Sequence, residues 1–152
     1  MSTRLDIEGL VADTVCDHIK ATLSAAIQAT CPVVTFHDPM SIDDANRIIV
    51  MVPSGITPEY APGNFSVSLE VGTKTQWSQM SMQTDWTNHM AAVSAVRNIL
   101  WDDGLEAALD TQAADAIGFN RAQPERRITT EVREQWYYTP TVVNLEVFTK
   151  TV

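Results

Sequence analysis

Few of the side chains that do protein chemistry stand in working arrangements in this sequence. Asp85 and His89 are four residues apart, with Asp102 and Asp103 further along. On a helix, that spacing puts an imidazole and a carboxylate on one face, as a metal site needs. No second histidine and no HExxH pattern accompanies them, and Asp85 is better explained as a first-turn acid favoured by the helix dipole. His37, Asp38, Asp43 and Asp44 gather in one short stretch. Oxygen-rich loops of this kind hold hard cations, but the ligand order and glycine of an EF-hand are missing. Turn and cap roles are expected for the three aspartates instead. Ser54-Gly55 follows an apolar run, yet it reads VPSGI and not the G-x-S-x-G of a nucleophile elbow. Cys16 and His18 are two apart, a spacing at which helical side chains do not face each other. Phosphate-binding glycine patterns are absent as well. The expectation is a protein that is not an enzyme, with no catalytic residues, no cofactor and no metal.

Two clusters point to contact. Arg121, Arg126, Arg127 and Arg133 form a basic group close to Trp136, Tyr137 and Tyr138. Arginines interleaved with aromatics suit stacking on single-stranded nucleic acid. Glu125, Glu131 and Glu134 keep the local charge near neutral, so ion pairs between subunits are an equal fit. Trp77, Met80, Met82 and Trp86 fall within ten residues of polar sequence. Exposed apolar groups of that size mark an interface, and the alternative is that they cover the end of a sheet.

The elements that must position these groups follow from periodicity. Ile7, Leu10, Val11, Val15, Ile19, Leu23 and Ile27 recur at spacings of mostly three and four, which predicts one amphipathic helix over about 5–28. Thr30-Cys31-Pro32 ends it, because the residue before proline is pushed out of helical geometry. Residues 33–37 read as a short strand. RIIVMV at 47–52 is an apolar run expected of a strand covered on both faces. Residues 53–64, with three prolines and two glycines, read as a surface loop. Residues 65–71 alternate with period two and predict a half-buried strand that stops near Gly72. Thr84-Asp85 opens a helix over about 85–101 whose core stripe is Trp86, Met90, Val93, Val96 (or the stem of Arg97) and Leu100, followed by a helical turn or two from Leu105. Residues 114–119 are a weak strand. A long strand is expected over about 126–139, Thr139-Pro140 interrupts it, and a final strand covers 142–149. Strands joined by short connections pair antiparallel. The fold class is therefore α+β: a mostly antiparallel β-sheet with a long N-terminal helix and a second helix packed on one face.

The chain has 152 residues, 19 acidic and 10 basic side chains and a formal net charge of −9. One domain spanning 1–152 is expected from that length. The charge is uneven: residues 1–110 hold 5 Lys+Arg and 14 Asp+Glu, and residues 111–152 hold 5 of each. Such asymmetry suggests surfaces with different roles, or one well-solvated helix. An acidic chain is a poor match for gripping nucleic acid by counterion release. Cys16 and Cys31 are too few for a disulfide scaffold. The N-terminus leads into an acid-rich helix and so does not read as a signal peptide, and no apolar run is long enough to span a membrane. A soluble protein of a reducing cytoplasm is expected.

The order of these elements, with the helix DWTNHMAAVSAVRNIL at 85–100 carrying H-x-A-x-V and the final strands carrying EQWYY and VVNLEVFT, resembles the tail terminator (tail completion, minor tail) proteins of tailed bacteriophages. The resemblance implies a structural virion protein, made in the host cytoplasm and residing in the tail or neck. It implies a ring, commonly a hexamer, that caps the tail tube, stops its polymerisation and offers the head–tail joining surface. The implied partners are further copies of the chain, a tail tube protein and a head-neck or connector protein, with no membrane. DNA would pass through the lumen without specific binding. Six copies would carry six times −9, or −54, a charge that belongs on the lumen and rim and not on buried subunit faces. Asp6, Glu8, Asp13, Asp38, Asp43 and Asp44 are the candidate lumen acids. Arg127, Arg133, Trp136, Tyr138, Trp77, Met80 and Met82 are the candidate subunit or partner contacts, with the 53–64 and 72–83 loops facing the tube or neck. Another neck, connector or tail-tube component and a small ligand-binding α+β module are the competing readings.

Overall fold

A computed structural model describes residues 7–36, 45–52, 56–58, 63–113, 117–126 and 129–150. The apolar stripe of the N-terminal segment folds as α1 (Ile7–Thr22), but the predicted single helix is two. Ser24 takes an extended conformation, and its hydroxyl caps a new helix, α2 (Ala25–Thr30), by accepting from the Ile27 amide. A serine competes with helical geometry in this way, and it outweighs the alanines around it. Gln28 reinforces the break by donating its side-chain amide to the Lys20 and Leu23 carbonyls.

Strands β1 (Val33–Thr35), β2 (Arg47–Met51), β3 (Ile56–Pro58) and β4 (Asn64–Gln76) come next. Ile48, Ile49 and Val50 are all buried, as an apolar run covered on both faces requires. The 53–64 segment holds β3 within the predicted loop. β4 does not stop at Gly72, since it continues for four residues to Gln76. Helices α3 (Met82–Leu100) and α4 (Leu105–Ala113) follow, then β5 (Ile117–Pro124), β6 (Glu131–Arg133) and β7 (Trp136–Thr149).

Two long antiparallel strands, β4 and β7, form the middle of the sheet and pair from Asn64–Phe148 to Gln76–Trp136. The outer edge of β4 is shared by β2 and β3, and the outer edge of β7 by β5 and β6. The order is β1-β2-β4-β7-β5, antiparallel throughout except for the β1–β2 pair. The fold is α+β, with four helices in the described residues and a mostly antiparallel sheet.

The C-terminal third corrects the sequence reading twice. The strand expected over 126–139 is a three-residue strand, a turn at Glu134-Gln135 and the start of β7. Gln135 adopts φ 70, the left-handed region that lets the chain reverse. Pro140 does not interrupt β7. β6 pairs with residues 136–138 and β5 with 143–149, so β4 alone flanks residues 139–142 in the ladder, and on the open side a missing N–H leaves no bond unmade.

Alternation sorts the sheet into two faces. Val67, Leu69 and Val71 of β4 and Val143, Leu145 and Val147 of β7 meet α1, α3 and α4 in one core with Val11, Ile19, Val96, Leu100 and Leu109. The other face carries Glu70, Gly72, Lys74, Trp136, Tyr138 and Phe148. Gly72 is required there, because the Tyr138 ring lies across it and a Cβ would collide with that ring.

Candidate functional site

Three of the candidate contact residues, Trp77, Met80 and Met82, lie where β4 hands over to α3 beside the β6–β7 hairpin. Trp77 fastens the two together. Its backbone N–H donates to the Gln135 carbonyl at 3.0 Å and its indole Nε1 donates to the Arg133 carbonyl at 2.9 Å. Its ring stacks on Tyr137 with centroids 5.9 Å apart, and Trp86 meets Tyr137 edge-on at 5.1 Å. The connection is also braced from within. Asp85 Oδ2 accepts from the Ser78 amide at 3.0 Å and from the Ser81 hydroxyl at 2.7 Å. The carboxylate thus sits in the first helical turn, where the dipole favours it, and ties down the loop that precedes the helix.

This frame holds apolar side chains outward. Met80 is 100% exposed, Val132 64%, Met82 44% and Trp86 40%. Met82 and Trp86 are four apart on α3 and share a face. Trp86 touches Tyr137, and Val132 is the cross-strand partner of Tyr137. Trp86 and Val132 thus flank the buried Tyr137, and Met82 extends this apolar row by one turn of α3, with Met80 two residues before it in the loop. The expected core stripe of α3 is rotated accordingly. Trp86 is exposed and Met90 only half-buried, while His89, Ala92, Val93, Val96, Arg97, Ile99 and Leu100 face inward.

The other contact candidates sit differently. Trp136 and Tyr138 are half-buried on the helix-free face. Lys74 Nζ lies 4.7 Å over the Trp136 ring, and the Tyr138 hydroxyl donates to Glu70 Oε2 at 2.6 Å. Burial and that carboxylate push the Tyr138 phenol above its ordinary pKa. Arg133 is exposed and pairs with Glu131 at 2.7 Å on its own strand. Arg127 lies outside the described residues. Among the lumen candidates, Glu8 and Asp13 are exposed on α1. Asp6, Asp38, Asp43 and Asp44 lie outside the described residues, as do His37 and Ser54. Of the 72–83 segment, residues 72–76 belong to β4 and 82–83 to α3, so the loop proper is 77–81.

His89 is not paired with Asp85. It is fully buried and points at the sheet, with Nδ1 2.7 Å from Thr75 Oγ1 and Nε2 2.7 Å from Thr139 Oγ1. Thr139 continues the chain to Thr130 at 2.8 Å. A neutral imidazole has one N–H and one acceptor nitrogen, and two hydroxyls complete both. Burial, helped by the charge of Arg97, lowers the His89 pKa to about 4. His89 thus pins α3 across β4 and β7. The sequence places His89 on the face of Asp85 and outside the expected α3 stripe, so its inward position is a correction the structure makes. Among the described residues no three or more His, Cys, Asp and Glu gather as a metal site would. Cys16 and Cys31 are both buried and unbridged, and burial pushes the Cys31 thiol up to about 12. No described helix is long and apolar enough to cross a membrane.

An open cleft of about 720 Å³ adjoins the aromatic row, lined by Asn46, Gln76, Trp77, Ser81, Asp85, Glu134 and Gln135 among others. Apart from Trp77 its walls are amides, hydroxyls and two carboxylates, so its polar chemistry is acidic. In comparisons with known proteins, no family model matches the chain and no curated protein matches it.

Proposed function

We propose that the chain is a structural subunit that associates with copies of itself into a ring of the tail-terminator type, capping a tail tube and providing a head–tail joining surface in a virion. The row Met80, Met82, Trp86 and Val132 carries this reading. Four large apolar side chains held outward on a braced frame lose free energy in water and regain it when a partner covers them. The α+β fold class supports the reading: an N-terminal helical segment, a group of strands, two helices and a final group of strands follow one another as the resemblance expects, with the first helix split in two and β3 added. The occupant is a second copy, placed head to tail, because a ring closes only through two different faces of one subunit. The sign of the molecule is consistent with this. Glu8 and Asp13 stand exposed on α1, which packs on β1, β2, α3 and α4, whereas the apolar row is carried by α3 and the β6–β7 hairpin.

Electron microscopy of the purified chain tests the class. Closed particles one subunit thick support a terminator. Long cylinders indicate a tube protein, and isolated monomers contradict both. The polar cleft favours a second reading, a small ligand-binding module. A shift in melting temperature with a metabolite panel, without any assembly, would carry that alternative.

A further inference from the structure

The C-terminal end of α3 holds a second constellation that the contact surface does not use. Arg97 is only 7% exposed, and its Nε and Nη2 are both buried and find no hydrogen-bond partner among the described residues. The Nε1 of Trp101, one turn further on, is also buried and unpartnered. The Arg97 guanidinium lies 5.6 Å from the Trp101 ring centroid, and that of Arg126, which is exposed, lies 5.7 Å from the same ring. These unpartnered nitrogens are all donors. Burial lowers the Arg97 pKa with no carboxylate acting against it, and its charge is felt at His89. The α3 C-terminal dipole offsets part of that charge but supplies no acceptor to either nitrogen. Buried donors left unmade and a buried cation left unpaired both cost free energy.

We propose that this end of α3 is an oxyanion site, in which the free Nε–Nη2 edge of Arg97 takes two oxygens of a carboxylate or phosphate group and Trp101 adds its indole N–H. Those two nitrogens present parallel N–H bonds on one side of the guanidinium, the fork that matches such a group. The half-buried Trp101 and the exposed Arg126 place the mouth of the site at the surface, and Arg126 adds a second positive charge there. The group has two possible sources, a free anion or a carboxylate side chain of another copy, and the chemistry is the same for both.

The test is nuclear magnetic resonance of the ¹⁵N-labelled full chain, following the Trp101 indole and Arg97 Nε–H signals. In one arm, acetate or inorganic phosphate replaces chloride at fixed ionic strength in dilute protein. Saturable shifts at both signals identify a free anion as the ligand. In the other arm, protein concentration rises with no added anion, and the same shifts identify a carboxylate of a second copy. Arg97→Lys keeps the charge but loses the fork, and weakens the response by about tenfold or more. Should that variant fail to fold, Trp101→Phe keeps the ring, loses the N–H and weakens the shift read at Arg97. No saturable shift in either arm, or an undiminished response in the variant that folds, overturns the site.

Discussion

His89 and its two threonines show how a single buried imidazole can hold a helix to a sheet. Replacing it with alanine leaves the Thr75 and Thr139 hydroxyls facing a cavity, so a loss of roughly 2–4 kcal/mol is expected in urea denaturation. The pH dependence has a definite sign. The folded-state pKa of about 4 lies below the ordinary value of 6.5, so the native state binds fewer protons than the unfolded chain between these values. Stability from this group is present above about pH 6.5 and is lost as pH falls towards 4. The melting temperature of the parent chain should fall more steeply over that window than that of His89→Gln, whose side chain does not titrate. Equal slopes would mean that His89 is not held neutral. The sequence reading took Asp85 and His89 as the one pair with metal spacing and favoured a first-turn role for Asp85. That role is what the structure shows, since Asp85 is occupied by Ser78 and Ser81. The threonine partners were not legible, because they come from strands 14 and 50 residues away.

Element boundaries were legible where one physical cause dominates and obscure where two compete. The alternation at 65–71 located β4, and RIIVMV located β2, because burial on one or two faces writes itself directly into hydropathy. The break at Ser24 was hidden by flanking alanines, and the continuity of β7 through Pro140 depends on which neighbours lie beside it, a fact of topology. The β6–β7 turn was missed because Gln135 is not a residue type that advertises a left-handed conformation. Gln135→Gly removes the Cβ penalty at φ 70 and is expected to stabilise by about 0.5–1 kcal/mol, measured as a higher urea midpoint. Gly72→Val has the opposite effect, because its side chain must displace the Tyr138 ring and with it the bond to Glu70. A loss of about 1–3 kcal/mol is expected, as for other overpacked sites. Trp86, expected both in the α3 stripe and in the contact cluster, is exposed, and so are Met80 and Met82. Val132 belongs to the alternation of the strand expected over 126–139, but periodicity alone does not say that its side chain stays exposed.

At the scale of the whole molecule, the proposed ring requires that subunits carrying a net charge of −9 attract one another at the apolar row strongly enough to offset their mutual repulsion. The net charge of −9 makes self-association dependent on salt, with screening expected to favour it. Val132→Lys or Met82→Lys places a charge in the row and is expected to weaken association by about 1–3 kcal/mol, roughly ten- to a hundredfold, while leaving the fold intact. The measurement that bears most directly on the proposed ring is the mass of the purified chain by light scattering over a wide range of concentration, for the parent and for Val132→Lys. The expected result is a closed species of fixed copy number, six by the resemblance to terminators, that the variant shifts to monomer. A parent chain that stays monomeric at every concentration, or a closed species that Val132→Lys leaves unchanged, would contradict the account.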